Sequence, residues 1–308
     1  MLERVNQKVT RISIEEPGRG NVNVYAIVSD IVTLIDCGYN SPHSRSSLHA
    51  DLAQLGLHPS SVDQIVLTHR HPDHAGGAAG SSLPWGQARM IAFPAPDQLP
   101  LSPSSISTRK RYIPESLWNV LLDTNGTASP QDEDSSAQAI RFDRLVQDGE
   151  TIDIGCGKLT VLHTPGHCAD HISLMGDDGL LFGGDAVLHH GPPALECLDS
   201  YTNSIGKISA CRAAAILPGH GSVIDRQDET IARTLNRLEA TDRKLLAAVR
   251  RGIDSPFGLA LECTEGRIHR GLLFWLDVVL VHLFSLERRG DIHLTRSGEI
   301  IESISLTH

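Results

Sequence analysis

Apolar positions in the first two thirds of the chain come in short runs divided by turn residues, whereas those in the last third recur at helical spacing. NVNVYAIVSD (21–30) and IVTLIDCG (31–38) are rich in β-branched residues and parted at Ser29–Asp30, which predicts two strands. SPHSRSSLHADLAQLGL follows, opened by Ser41–Pro42, with Leu48, Leu52 and Leu55 at the spacing of one helix face. VDQIVLTH (62–69) predicts a buried strand that runs straight into a loop crowded with histidines. The small residues from Ala75 to Gly80 suit a helix packed closely on a sheet. Strands return at ARMIAFP, TIDIGCGKLTVLHTPGH, HISLMGDDGLLFGGD and AAAILPGHGSVI.

Beyond Arg226 the pattern becomes helical. ETIARTLNRLEATDRKLLAAVRRG predicts one long helix ended by Gly252, and SPFGLALEC and HRGLLFWLDVVLVHLFSLERRG predict further helices. DIHLTRSGEIIESISL closes as two short strands around Ser297–Gly298. Phe274, Trp275, Val278, Val279 and Phe284 read as buried packing. The expected division is a domain over 1–226 and a smaller one over 227–308, with no internal repeat. Residues 102–138 interrupt the first domain: two polar stretches flank RYIPESLWNVLLD, a short amphipathic helix. Two readings stand for this insertion, a surface excursion or a lid over a site.

Composition narrows the function. At 308 residues, with 40% hydrophobic and 21% charged residues, this is ordinary globular material. The net charge of −10 argues against a dedicated nucleic-acid binder, which needs a dense basic surface. Residues 227–308 are nearly neutral, so Arg288, Arg289 and Arg296 leave room for a local basic cluster there. The longest apolar run, 271–286, is broken by Asp277 and His282 and falls short of the roughly 20 residues of a membrane span. No apolar signal-peptide core stands at the N-terminus, and the six cysteines are spaced singly. Reduced thiols in a cytoplasmic protein are expected.

The chemistry lies in LTHRHPDHAGG (67–77). On a helix His69 and His71 would face apart; on a loop at a strand end, with Gly76 and Gly77 to let the chain turn, they can converge with Asp73 and His74. Three further candidates each follow a hydrophobic strand beside glycine: His167 in TPGHCADH, Asp185 in LLFGGD and His220 in LPGHG. Imidazole and carboxylate donors suit zinc, with iron or manganese as substitutes, and seven donors are too many for one ion. Other histidines, His163, His171, His189 and His190, read as structural or surface residues.

These motifs, in this order over about residues 8–226, resemble those of metallo-β-lactamase-fold hydrolases, and LIDCG resembles the aspartate-bearing strand end that precedes them. The resemblance implies an α/β (α+β) architecture, an αββα sandwich with metals at one edge. It implies that His69, His71 and His167 hold one metal and Asp73, His74 and His220 a second. Asp185 would bridge the two, and Asp36 would support them. Cys168 and Asp170 depart from the usual residues of the third motif but fall on no ligand position, so they are read as tuning the site.

Two divalent ions sharing a hydroxide bring the pKa of water to roughly 7, so the expected reaction is hydrolysis, with Asp73 orienting the water and passing on its proton. The aspartate in GGD resembles the thioesterase, glyoxalase II, lactonase and nuclease branches, which leaves β-lactam hydrolysis a minor alternative. Helices followed by a strand pair resemble the winged-helix-like domain of a branch that holds carrier-protein thioesterases and a single-strand endoribonuclease. The expectation is therefore a two-zinc hydrolase of a thioester, ester or lactone on a small-molecule or carrier-bound acyl group. Cleavage of single-stranded RNA is the alternative. The C-terminal unit is expected to cover the pocket or to form a homodimer.

Overall fold

The computed structural model describes residues 1–79, 85–95, 106–124, 140–269 and 271–307. Two sheets face each other. The first has the order β1 (Leu2–Arg4), β2 (Val9–Glu16), β3 (Gly20–Ile27), β4 (Thr33–Ile35), β5 (Gln64–Val66), β6 (Arg89–Ala92) and β7 (Arg144–Leu145). Its first four strands pair antiparallel and the last four parallel. The second has the order β12 (Ala215–Pro218), β11 (Leu180–Gly184), β10 (Ile172–Gly176), β9 (Lys158–His163) and β8 (Thr151–Asp153), with only β11 and β12 parallel.

Period-two alternation builds the layers. Ile35, Val66 and Ile91 face the second sheet and share a buried cluster with Leu159, Val161, Leu174 and Phe182. Their neighbours Leu34, Ile65 and Met90 face outward against Leu48 and Leu52 of α1 (Pro42–Gln54). On the far side Leu181 and Ile216 pack under Tyr201, Ile205 and Ile208 of α5 (Leu198–Cys211). The result is the expected α–β–β–α order.

Two of the longer elements escaped the sequence reading. β2 carries polar residues at positions 10, 11 and 13, which masks a strand paired along its whole length with β3, from Val9↔Ile27 to Glu16↔Gly20. Helix α5 has its buried residues at helical spacing, but the chain around it reads as loop. The run over 151–167 holds two strands, folded back at Gly155 and Gly157.

The C-terminal part comprises α6 (Gln227–Arg250), α7 (Pro256–Cys263), α8 (Gly271–Arg288) and the antiparallel pair β13 (Ile292–Ser297) and β14 (Ile300–Leu306). Helix α6 joins both halves: Ile231 and Leu238 pack with α5, whereas Leu245, Ala248 and Val249 enter the C-terminal core. In the insertion, α3 (Ile106–Tyr112) and α4 (Glu115–Thr124) break at Pro114 and pack Ile113, Trp118 and Leu121 into that same core. Arg109 fastens them by two bonds to Asp277, at 3.0 and 2.6 Å. Residues 102–105 and 125–138, the rest of the predicted insertion, lie outside the described residues.

Two expectations about this unit need correction. Phe274 is 48% exposed and Trp275 and Val278 are half-buried, because this face of α8 fronts a groove instead of a core. The three arginines do not make a free basic surface. Arg288 pairs with Asp199 at 2.5 Å, Arg289 with Asp242 and Asp291 at 2.7 and 3.2 Å, and Arg296 with Glu287. Among the described residues no helix is long and apolar enough to cross a membrane. The six cysteines are unpaired, as their spacing suggested.

Candidate metal centre

Every candidate ligand stands just beyond the C-terminal end of a strand, or one turn later. Parallel β4 and β5 deliver Asp36 and His69 to one edge of the first sheet, and parallel β11 and β12 deliver Asp185 and His220 to the facing edge of the second. His167 follows β9, and His74 lies on the short helix α2 (Pro72–Ala75). A close packing of α2 on the chain after β4 sets its place: a Cβ at Gly77 would lie 2.1 Å from the Cys37 carbonyl oxygen. Glycine is demanded again at position 219, where a Cβ would stand 2.3 Å from Asp185 Oδ1 and 2.6 Å from His74 Cε1. The small residues of the motifs therefore leave space for ligands as well as bending the chain.

Proton positions follow from the bonds of the far ring nitrogens. Asp36 accepts from Thr68 N–H at 2.7 Å and from the Thr68 hydroxyl at 2.8 Å, and the same Thr68 oxygen takes the His69 Nδ1 proton at 3.0 Å. His74 Nδ1 donates to Asp36 at 2.7 Å, His167 Nδ1 to the Ala194 carbonyl at 2.6 Å, and His220 Nδ1 to the Asn21 carbonyl. Each of these four rings thus presents a bare Nε2 in its neutral form. Asp36 holds this post in the left-handed region, at φ 61°.

The bare nitrogens converge. His69 Nε2 lies 3.0 Å from His71 Nδ1, and His167 Nε2 lies 3.2 and 2.8 Å from those two atoms. Tetrahedral sites with metal–nitrogen bonds of 2.0–2.1 Å have edges of roughly 3.3 Å, close to this triangle. Three lone pairs facing inward in a buried place repel one another unless a cation lies among them. A second group joins Asp73, His74 and His220, with His220 Nε2 3.2 Å and His74 Nε2 3.6 Å from Asp73 Oδ2. Asp185 stands between the groups: Oδ2 is 3.5 Å from His167 Nε2 and 3.4 Å from His220 Nε2, and Oδ1 is 3.5 Å from His74 Nε2. His74 Nε2 and Asp185 Oδ1 are buried without a hydrogen-bond partner, as atoms meant for a metal are. All seven expected ligands are therefore gathered, and the donor set fits divalent ions.

Cys168 lies close by: its Sγ is within 4.8 Å of the ring nitrogens of His69, His71 and His167. Its partner Asp170 reaches Arg70 of the histidine loop at 3.4 Å. Sequence reasoning passed over Thr68, which ties Asp36 to His69, and the specific bonds of His171, which it read only as structural or surface. His171 is fully buried, accepts the Asp185 N–H at 3.0 Å and bonds Thr164 at 2.9 Å. It holds the backbone of an acidic ligand without being one. Only its repetition within TPGHCADH gave any signal.

The two groups differ in charge. Burial and the neighbouring imidazoles depress His69 far below its ordinary value and His71 to about 3, so both are neutral near pH 7. Burial would also depress His74 and His220, but Asp73 and Asp185 outweigh it, raising His74 strongly and His220 to about 10. Burial would raise Asp73, yet His74 and His220 bring it to about 2. A cation entering beside Asp73 must therefore displace protons, whereas His69 and His71 bring none. Metal uptake at the Asp73 group is expected to strengthen as pH rises from 6 toward 9 and to release protons. Calorimetric titration of the metal-free protein in buffers of different ionisation enthalpy reads this directly. Buffer-independent heats for every equivalent bound would contradict it.

Comparisons place this geometry among known proteins. A family model described as Metallo-beta-lactamase superfamily matches residues 17–220. The chain is 27% identical over 255 residues to the "Beta-lactamase-like protein 2 homolog" of Caenorhabditis elegans, covering 81% of this chain and 73% of that protein. It is 24% identical over 250 residues to an "Atrochrysone carboxyl ACP thioesterase" of Aspergillus fumigatus, covering 80% and 66%. Among the first curated relatives it matches, the chain spans between about half and three quarters of their length. A metallo-beta-lactamase family protein of Thermus thermophilus has the same fold, with a TM-score of 0.72 at 22% identity over 99% of this chain and 100% of that one.

Proposed function

The chain belongs to the metallo-beta-lactamase superfamily and is a metal-dependent hydrolase, and we propose that it hydrolyses thioesters of small-molecule or carrier-bound acyl groups with two zinc ions. The observation that carries the two-ion reading is Asp185, whose oxygens face His167 on one side and His74 and His220 on the other. In this assignment His69, His71 and His167 hold one ion, Asp73, His74 and His220 the other, and Asp185 both. Bound there, the ions supply an activated water and stabilise the developing charge on the carbonyl oxygen.

The protein's own groups do the rest. Asp36 fixes the ring orientation and tautomer of His74, and through Thr68 those of His69. The carbonyls of Ala194 and Asn21 do the same for His167 and His220. Asp73 is one-fifth exposed at its side chain, unlike the enclosed Asp185, and its carboxylate is ionised at neutral pH. In this reading Asp73 orients the attacking water and takes its proton.

The choice of a thioester rests on the relatives named as thioesterases, one of them for an acyl-carrier-protein substrate. The RNA reading loses its main support once Arg288, Arg289 and Arg296 are seen to be neutralised. A panel of acyl-coenzyme A, acyl-glutathione, lactone, β-lactam and single-stranded RNA substrates decides. Thioester hydrolysis that is lost on chelation and restored by zinc is expected. Zinc-loaded protein inert on every thioester sinks the proposal, and RNA cleavage alone would replace it.

A further inference from the structure

Strand β3 loses one neighbour halfway along. β4 pairs with it only from Tyr25↔Ile35 to Ile27↔Thr33, and the chain then turns away at Asp36. The edge of β3 before Tyr25 is left without a strand on that side, and its backbone groups need other partners. The loop after β12 of the second sheet supplies them. Asn23 N–H donates to the Gly219 carbonyl at 2.7 Å, and the Asn21 carbonyl accepts the His220 Nδ1 proton. Side chains add to the seam. Asn23 Nδ2 donates to the Pro218 and Gly221 carbonyls at 2.9 and 2.8 Å, and the Tyr25 hydroxyl to the Pro218 carbonyl at 2.7 Å. Arg11, set opposite Tyr25 by the register of β2, bonds the Gly221 carbonyl and is itself held by Glu3 at 2.6 Å. Carbonyls on both sides of His220 thus meet donors of the other sheet.

Asn23 is fully buried, and among the described residues its Oδ1 has no partner. Burying an amide is costly, and the side-chain bonds that offset it go to this loop and, at 3.4 Å, to Tyr25. From the loop His220 faces Asp73 and Asp185, at 3.2 and 3.4 Å. Its side chain is 27% exposed, against 0% for His74 and 8% for Asp185, so packing alone does not fix it. We propose that Asn23 and Tyr25 are positioning residues of the metal centre: they touch no ion, and they place His220 by fixing the carbonyls beside it. This rests on the assignment of His220 as a ligand and adds what holds that ligand in place.

A double-mutant cycle on the full chain tests this, with zinc affinity read by competition with a chelator and not from turnover. Asn23→Leu removes the side-chain donors at similar volume and should weaken zinc binding about tenfold, the lower end of what lost ligand support costs. Tyr25→Phe keeps the ring against Phe182, at 5.5 Å between centres, and should weaken it less because Asn23 still bonds the same carbonyl. In a His220→Ala background neither change should weaken zinc binding further, since a residue that acts through His220 has nothing left to place. Unchanged affinity in both variants overturns the proposal. So does a loss that persists undiminished without His220, which marks a general loosening of the sandwich. Circular dichroism checks folding, and the Tyr25→Phe arm decides by the same two outcomes if Asn23→Leu does not fold. Unchanged zinc affinity in His220→Ala alone would remove the ligand assignment, and the proposal with it. Coupling between Asn23 and His220 in a protein inert on thioesters removes the substrate reading alone.

Discussion

Asp185→Asn is expected to reduce turnover by more than about 100-fold, with metal content falling at the same time. Loss of groups that merely support ligands costs roughly 10–100-fold in affinity or activity, and Asp185 faces both donor groups directly. Asparagine keeps the shape and one acceptor oxygen but gives up the negative charge that two cations would share. Its other terminal atom is an N–H donor, which cannot ligate. The substitution leaves the backbone bond from residue 185 to His171 in place, so the fold has no reason to fail. Metal analysis by mass spectrometry, with circular dichroism as a check on folding, separates lost metal from lost structure. Unchanged metal content and turnover would eliminate the shared-ligand mechanism.

The second large effect is expected at Asp36, which need never touch a metal. Asparagine tolerates the left-handed backbone at φ 61°, so Asp36→Asn changes chemistry and not conformation. Its two oxygens now accept three protons, from Thr68 N–H, the Thr68 hydroxyl and His74 Nδ1. With an NH₂ in place of one oxygen, a donor meets a donor unless His74 moves its proton to Nε2. That tautomer cannot bind a metal through Nε2. Metal affinity at the Asp73 group should fall about 10–100-fold, while the three-histidine group keeps its ion. Asp36→Ala adds buried unpaired donors at His74 and Thr68, and a loss of stability of about 3 kcal/mol follows. Thermal melts of both variants with and without zinc read the difference. Equal zinc stoichiometry and affinity in Asp36→Asn and the parent protein would show that the tautomer argument is wrong.

How far the sequence was legible depended on the range of the cause. The histidine loop is legible because its spacing allows convergence only on a loop, and the strand before it is legible from its apolar run. The bonds of Thr68 and His171 were not, because a threonine or a lone histidine shows its role only when its partner is known. Those partners, Asp36 and the Asp185 backbone, lie 32 and 14 residues away. The arginines near the C-terminus misled because a cluster of cations in sequence does not show which carboxylates will meet it. Three cations close in sequence suggest a basic surface, and their carboxylates arrive from Asp199, Asp242 and Glu287. Phe274 and Trp275 misled because an apolar helix face has the same periodicity whether it meets a core or a groove.

The sequence by itself supplied the candidate chemistry of the centre, seven side chains able to bind metal, each placed at the exit of a strand or in the turn that follows. Local pattern suffices for that, since donor type, strand and glycine are all written within a few residues of one another. Only the tertiary structure decided which nitrogen each ring presents, which carboxylate stands between the groups and what lies beside them. Those answers depend on hydrogen bonds and packing between segments about 30 to 200 residues apart, set by how the two sheets face each other.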